Sequence, residues 1–200
     1  IGIYDALQGV NESTETNIGN ANRGVQFEHL LTEHRTDNTR NATLEGSKSD
    51  FHRYVVNANN VEVEDYYQSM YEVIFRANNV LDFIDIADES NQAQYAAEAK
   101  FLRAWYHFDM LRIYGPCVIS LETVYPVNHE FRRSTRLEVN TQIEEDLLEA
   151  IPILLPSHPE EQVGRITKTA AQALLAKVYM YWADWDNDNK AIFDKAIPLL

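Results

Sequence analysis

The sequence predicts an all-α fold of helical hairpins with long inserted loops, and three observations carry that prediction. In the stretch 96–119, Phe101, Ala104, Trp105, Phe108, Leu111 and Tyr114 recur at three- and four-residue steps with polar residues between them. That period is one face of a helix; a strand would put Trp105 and Phe108 on opposite sides. The same period returns in 62–86, in the run up to Leu155, and again from Thr167 to Trp182. Finally, seven glycines and six prolines in 200 residues are few, as suits a helical chain.

Taken in order, residues 1–10 place Ile3, Leu7 and Val10 on one helical stripe, and the Asn-, Thr- and Glu-rich residues 11–22 read as a loop. Asn11 and Asn41 begin glycosylation-type triplets that are read as chance matches. A short helix carries Phe27, Leu30 and Leu31. Residues 32–60 form a long polar irregular insert with scattered aromatics, Phe51 and Tyr54. The 62–86 helix lines up Val63, Tyr67, Met70, Ile74, Ala77, Leu81 and Ile84. Asp88 to Asn91 break it, so the 95–115 helix returns antiparallel and buries Phe101, Trp105 and Phe108.

Gly115 and Pro116 end that helix, because glycine tolerates a left-handed backbone and proline forbids continuation. Residues 116–134 are a second irregular insert. Ser134 or Thr135 caps the next helix, with Glu138 three residues after Thr135 completing a capping box. Its stripe is Val139, Ile143, Leu147, Ala150 and Leu154; the following helix carries Ala171, Leu174, Leu175, Val178 and Trp182. Residues 99–106 and 173–180 align with each other, a degenerate repeat of the kind tetratricopeptide-like hairpins leave when elaborated. The whole of 1–200 is read as one helical domain.

Composition excludes several functions. A net charge of −14 argues against nucleic acid, which demands clustered Lys and Arg. One cysteine, Cys117, leaves no intrachain disulfide and no multi-cysteine zinc site. No Gly-rich phosphate loop, HExxH, GxSxG or CxxC occurs, and the six histidines form no i, i+4 pair, so no catalytic residue, metal or cofactor is assigned. His107 falls on the polar side of its helix, in a solvated or hydrogen-bonded role. The run from Asp184 to Asn189 opens like a calcium loop but lacks the turn glycine and the closing Glu, and is read as a turn between helices. Aromatic rings stack on the C–H faces of pyranoses while carboxylates and amides bind hydroxyls. Arg35, Asp37, Asn38, Arg53 and Tyr54 of the first insert, and Trp185, offer that chemistry. Trp182 sits on the core stripe.

Four stretches carry a resemblance. The run FLRAWYHFDMLRIYG (101–115) after AEAK resembles the signature helix of the SusD/RagB family of surface lipoproteins. Tyr71, Ile74, Ala77 and Asn78 fit that family's Y-x-x-I-x-x-A-N helix, and Asp146-Leu147 with Leu155-Pro156 fit its acidic helix. GRITKTAAQALLAKVY (164–179) is the most specific match, and Gly115-Pro116-Cys117-Val118 departs from the usual G-D-V-P turn. The resemblance implies a glycan- or nutrient-binding protein, not an enzyme, on the extracellular face of the outer membrane, held by a lipid anchor outside this stretch of chain. It implies an oligosaccharide ligand and a SusC-like TonB-dependent transporter as partner. It also implies that these residues are an N-terminal portion of a protein roughly two to three times longer, whose later half completes the glycan face. The alternative is a tetratricopeptide-type adaptor that grips a peptide in its concave groove.

Overall fold

A computed structural model describes residues 2–8, 25–39 and 46–199. The loop expected at 11–22, Val10 of the first stripe and both glycosylation-type asparagines lie outside the described residues. The described chain is helical, with no strand: α1 (Gly2–Asp5), α2 (Val25–Leu31), α3 (Ser49–His52), α4 (Val61–Asp82), α5 (Glu89–Tyr114), α6 (Arg136–Ala150), α7 (Lys168–Trp185) and α8 (Lys190–Asp194), with short 3-10 turns between. No described helix is long and apolar enough to cross a membrane. The chain forms two compact units, Ile1–Arg76 and Ala77–Leu200.

In the first unit the core is Ile3, Leu30, Leu31, Phe51, Tyr66, Met70, Val73 and Ile74. Of the stripe expected on α4, Met70, Ile74 and Ala77 are buried, but the face is turned at its start: Tyr66 and Val73 are buried as well, while Tyr67 is exposed and Val63 half-buried. Asn60 sets the start of that helix. Its side-chain oxygen accepts from the N–H of Glu62 at 3.0 Å, and its amide donates to the Ser47 carbonyl and to Asp50 at 2.9 and 3.0 Å. An Asn before the first turn satisfies donors that the helix cannot pair internally.

In the second unit α5 lies at the centre and is buried nearly all round. Between Ala97 and Leu111 only Lys100 and Trp105 escape burial. Its long partner within this unit is α6; α7 packs on α6 and also reaches α5, where Phe108 meets Tyr181 edge-on at 5.5 Å. The sequence reading gave α5 one apolar face and a polar back, and expected Trp105 in the core. Phe101 and Phe108 are buried, but Trp105 is 38% exposed, its ring edge-on to Phe101. Trp105 lies on the open strip of α5, seven residues before half-exposed Arg112.

Burial on every side forces the polar residues of α5 to find partners, since a buried charge without one is costly. Arg103 makes a two-pronged bond to Asp146 of α6 at 2.6 and 2.8 Å and donates to Asn78 of α4 at 3.0 Å. Asn78 in turn donates to the carbonyls of Ser120 and Glu122. Glu98 receives Arg165 at 2.6 Å from the segment before α7, and Gln94 at 2.7 Å. His107 is fully buried, contrary to its expected place on a polar side. Its Nδ1 donates to the Arg103 carbonyl at 3.0 Å and its Nε2 accepts from the Ser120 N–H at 3.4 Å, which requires the neutral ring.

Helix ends follow the sequence closely. α5 stops at Tyr114, with Gly115 at φ 79°. Thr135 and Glu138 form the expected capping box, in which Glu138 also takes two bonds from Arg132. The Arg132 bonds, with those from Thr135, hold the Glu138 carboxyl down at about 2. Thr167 caps α7 through the Ala170 N–H. Residues 116–134 carry no regular secondary structure but are pinned by Asn78, His107 and a Ser134 N–H bond to the Cys117 carbonyl at 2.8 Å.

Burial, and secondarily the Arg103 charge, lowers the His107 pKa from 6.5 to about 4. The unfolded chain therefore takes up a proton that the folded one refuses. The stability that His107 contributes is complete above pH 6.5 and drains away as pH falls toward 4, by about 3 kcal/mol at the low end. Urea melts at pH 7 and pH 4 should show a loss that shrinks by most of that amount in His107→Gln. An unchanged pH slope in the variant would refute it.

Candidate functional site

The first unit brings two of the early-loop candidates, Asp37 and Tyr54, into contact. After α2, the Glu33 carbonyl accepts from the Thr36 N–H and from the hydroxyls of Thr36 and Thr39, winding 33–39 into a tight surface loop. Arg35 ends the 3-10 turn Glu33–Arg35 within it, and Asn38 donates its N–H to the Thr36 hydroxyl at 3.3 Å. From the other side α3 plants Phe51 in the core, 1% exposed, and the chain then turns out through Arg53 and Tyr54. Tyr54 holds a left-handed φ of 58° and leaves its ring 61% exposed. For a bulky residue that conformation is strained by about 1–3 kcal/mol, and such strain collects at ligand sites.

The Tyr54 hydroxyl donates to Asp37 at 2.9 Å. That bond, more than burial or charge, holds the phenol above its ordinary pKa. Tyr54 and Asp37 are thus joined directly, with exposed Arg35, Asn38 and Arg53 on the same two stretches of backbone. The Tyr54 ring and the Asp37 carboxylate are together suited to stacking on and hydrogen bonding a polyol, and the Asn38 amide and the Arg35 and Arg53 guanidinium groups are exposed close by in sequence.

Beneath this loop lies something the sequence did not disclose. His34 is buried, its ring edge-on to His29 at 4.8 Å, and burial followed by the His29 and His52 charges lowers its pKa. The three are five and eighteen residues apart, spacings that carry no motif. Among the described residues no group of His, Cys, Asp or Glu is placed to hold a metal ion.

Trp185 belongs to the second unit. It stands at the end of α7, edge-on to Tyr181 at 5.7 Å, with the Arg136 guanidinium over its ring at 5.5 Å. It lines a groove of about 610 Å³ between the start of α6 and the end of α7, with Trp182, Leu137 and Pro116 as apolar wall and Arg133, Arg136 and Asn140 as polar one. Trp182, read as core, is 9% exposed and serves both core and groove. Of the polar wall, the sequence offered one usable signal: Arg136 and Asn140 are four apart on a helix whose start the capping box marks. The run after Trp185 is a turn, with Asn187 and Asp188 both left-handed and Asn189 capping α8.

A family model described as "Starch-binding associating with outer membrane", SusD-like, matches residues 6–180. The chain belongs to the SusD-like family. A SusD-like protein of Formosa agariphila is 32% identical over 136 residues, covering 65% of this chain and 25% of that protein. One of Bacteroides ovatus is 32% identical over 127 residues, 60% of this chain and 23% of that protein. Among solved structures, a laminarin-binding SusD-like protein superposes with a TM-score of 0.72 at 26% identity, over 97% of this chain and 41% of the other. A structure with a xylogluco-oligosaccharide matches with a TM-score of 0.66 at 25% identity, over 78% and 30%. The chain thus spans less than half the length of each of these proteins.

Several polar residues of the SusD-like motifs turn out to be connectors. Arg103 bonds to both Asn78 and Asp146, Glu98 bonds to Arg165, and Thr167 caps a helix. The candidate ligand residues Arg35, Asp37, Asn38, Arg53, Tyr54 and Trp185 lie outside all four motif stretches.

Proposed function

We propose that this chain belongs to a surface glycan-binding protein that captures oligosaccharides by contact rather than by chemistry. It hands them to a SusC-like TonB-dependent barrel in the outer membrane. The protein works on the extracellular face, held there by a lipid anchor. The family's description supports the outer-membrane setting, and two of its structural relatives are a laminarin binder and a protein solved with a xylogluco-oligosaccharide.

The observation that carries the reading is Tyr54. An exposed aromatic ring held in a strained backbone conformation, its hydroxyl tied to Asp37, is a rigid stacking platform with hydrogen-bonding groups beside it. The fold does not require it for packing, since most of its ring faces solvent. Sugar recognition of this kind rests on one or two stacked rings and a few hydroxyl bonds, so affinity is modest. Arg35, Asn38 and Arg53 supply the flanking polar contacts. Within the importer the binding protein acts as a lid whose closed state is favoured only by the ligand's higher affinity for it.

Tyr54→Gly separates stability from binding. It should leave thermal stability unchanged or raise it by up to about 1 kcal/mol, because glycine occupies the left-handed region freely. In the full-length protein the same change should weaken oligosaccharide binding, read by calorimetry with glucan and xyloglucan fragments, by about tenfold or more. Unaltered affinity would remove Tyr54 from the site. Affinity purification from native membranes should recover a TonB-dependent barrel in near-equal amount; recovery of soluble partners alone would overturn the importer reading.

A further inference from the structure

We infer that the groove between the start of α6 and the end of α7 is a second saccharide subsite, and that it takes an acidic sugar, a uronate, whose carboxylate is held by Arg133 and Arg136. The inference rests on the glycan-binding reading above and adds a ligand class and a place to it.

Three observations converge on this groove. Its volume of about 610 Å³ falls within the roughly 300–1,000 Å³ of small-ligand sites. Trp182 and Trp185 give it an apolar wall of the kind that covers the C–H face of a pyranose ring. The second observation is charge. In a chain with a net charge of −14, arginines find carboxylates easily, and Arg76, Arg103, Arg112, Arg132 and Arg165 each pair with one. Among the described residues Arg133 and Arg136 pair with no carboxylate, as is also true of Arg35 and Arg53 in the first unit; Arg132 beside them pairs with Glu138, and Arg136 lies over the Trp185 ring. The one carboxylate in the lining, Asp186, is occupied by the Asn189 amide at 2.6 Å. Nor does the helix start explain the cations, because the partial positive charge of a helix N-terminus disfavours them.

The third observation is Asn140, four residues after Arg136 on the same helix face. It lines the groove, is 1% exposed, and its Oδ1 is buried with no hydrogen-bond partner. Buried polar atoms are nearly always paired, so an unpaired carbonyl at the base of a groove marks where a donor is expected. A sugar hydroxyl is such a donor. Planar guanidinium groups match a carboxylate's two oxygens, which a neutral hexose does not offer. Ring stacking, a hydroxyl donor for Asn140 and a carboxylate for the two arginines together describe a hexuronate.

The test is calorimetric titration of the full-length protein with tetragalacturonate and with the same tetrasaccharide after reduction of its carboxyl groups. The uronate should bind about tenfold more tightly or better, the scale of one charge-assisted contact. That preference should fall below about twofold in Arg133→Gln and in Arg136→Gln, with thermal melts confirming that both fold. Equal affinity for the two sugars, or a preference that survives both substitutions, overturns the inference. Neutral-sugar binding that Tyr54→Gly abolishes, without any uronate preference, overturns it while leaving the Tyr54 site standing. No binding of any oligosaccharide overturns both.

Discussion

The buried guanidinium of Arg103 is the contact on which the second unit depends. It sits on a helix surrounded by other chain, where an unpaired cation would be prohibitively costly. Asp146 answers it from α6 with two oxygens, and Asn78 answers from the last turn of α4. Because Asp146 comes from α6 and Asn78 from residues 77–82 at the end of α4, satisfying one charge joins three pieces of the second unit. Asn78 then extends the network to the 116–134 segment through two carbonyls, and His107, one turn beyond Arg103, ties down the same segment at Ser120.

This accounts for where the SusD-like motifs fall. A buried polar network tolerates few substitutions, because any change leaves a polar atom without a partner. Hydrophobic positions around it accept swaps of similar volume much more readily. In this chain Asn78, Arg103, Asp146 and Arg165, all within the SusD-like stretches, join separate elements. The ligand contacts proposed above lie instead on the loop around Tyr54 and in the groove at Trp185, mostly on exposed side chains that the core does not need for packing.

Much of the fold was legible because helix periodicity and capping are local. The stripe Val139, Ile143, Leu147, Ala150, Leu154 is buried throughout, and Thr135 with Glu138 closes as a box. Trp105 and His107 were misplaced for one reason. A helix buried nearly all round has no polar back, so apolar period alone cannot say which large residue finds the remaining opening. The face of α4 slipped similarly, since Tyr66 and Tyr67 are equally apolar in sequence and only tertiary packing separates them. Of the site, Tyr54 and Asp37 were legible as chemistry but not as a pair, being 17 residues apart. The groove at Trp185 was half legible: the tryptophan was noticed, while Arg133, Arg136 and Asn140 come from a different element and meet it only in the folded chain.

The most direct test of this account is a double-mutant cycle on Arg103 and Asp146, read by urea unfolding. Asp146→Leu alone should cost about 3–5 kcal/mol, because it strands a buried guanidinium. Joining Arg103→Met to Asp146→Leu should restore most of that loss, since two apolar side chains leave nothing unpaired. A single substitution costing under about 1 kcal/mol, or two substitutions whose costs simply add, would contradict the claim that this pair organises the unit.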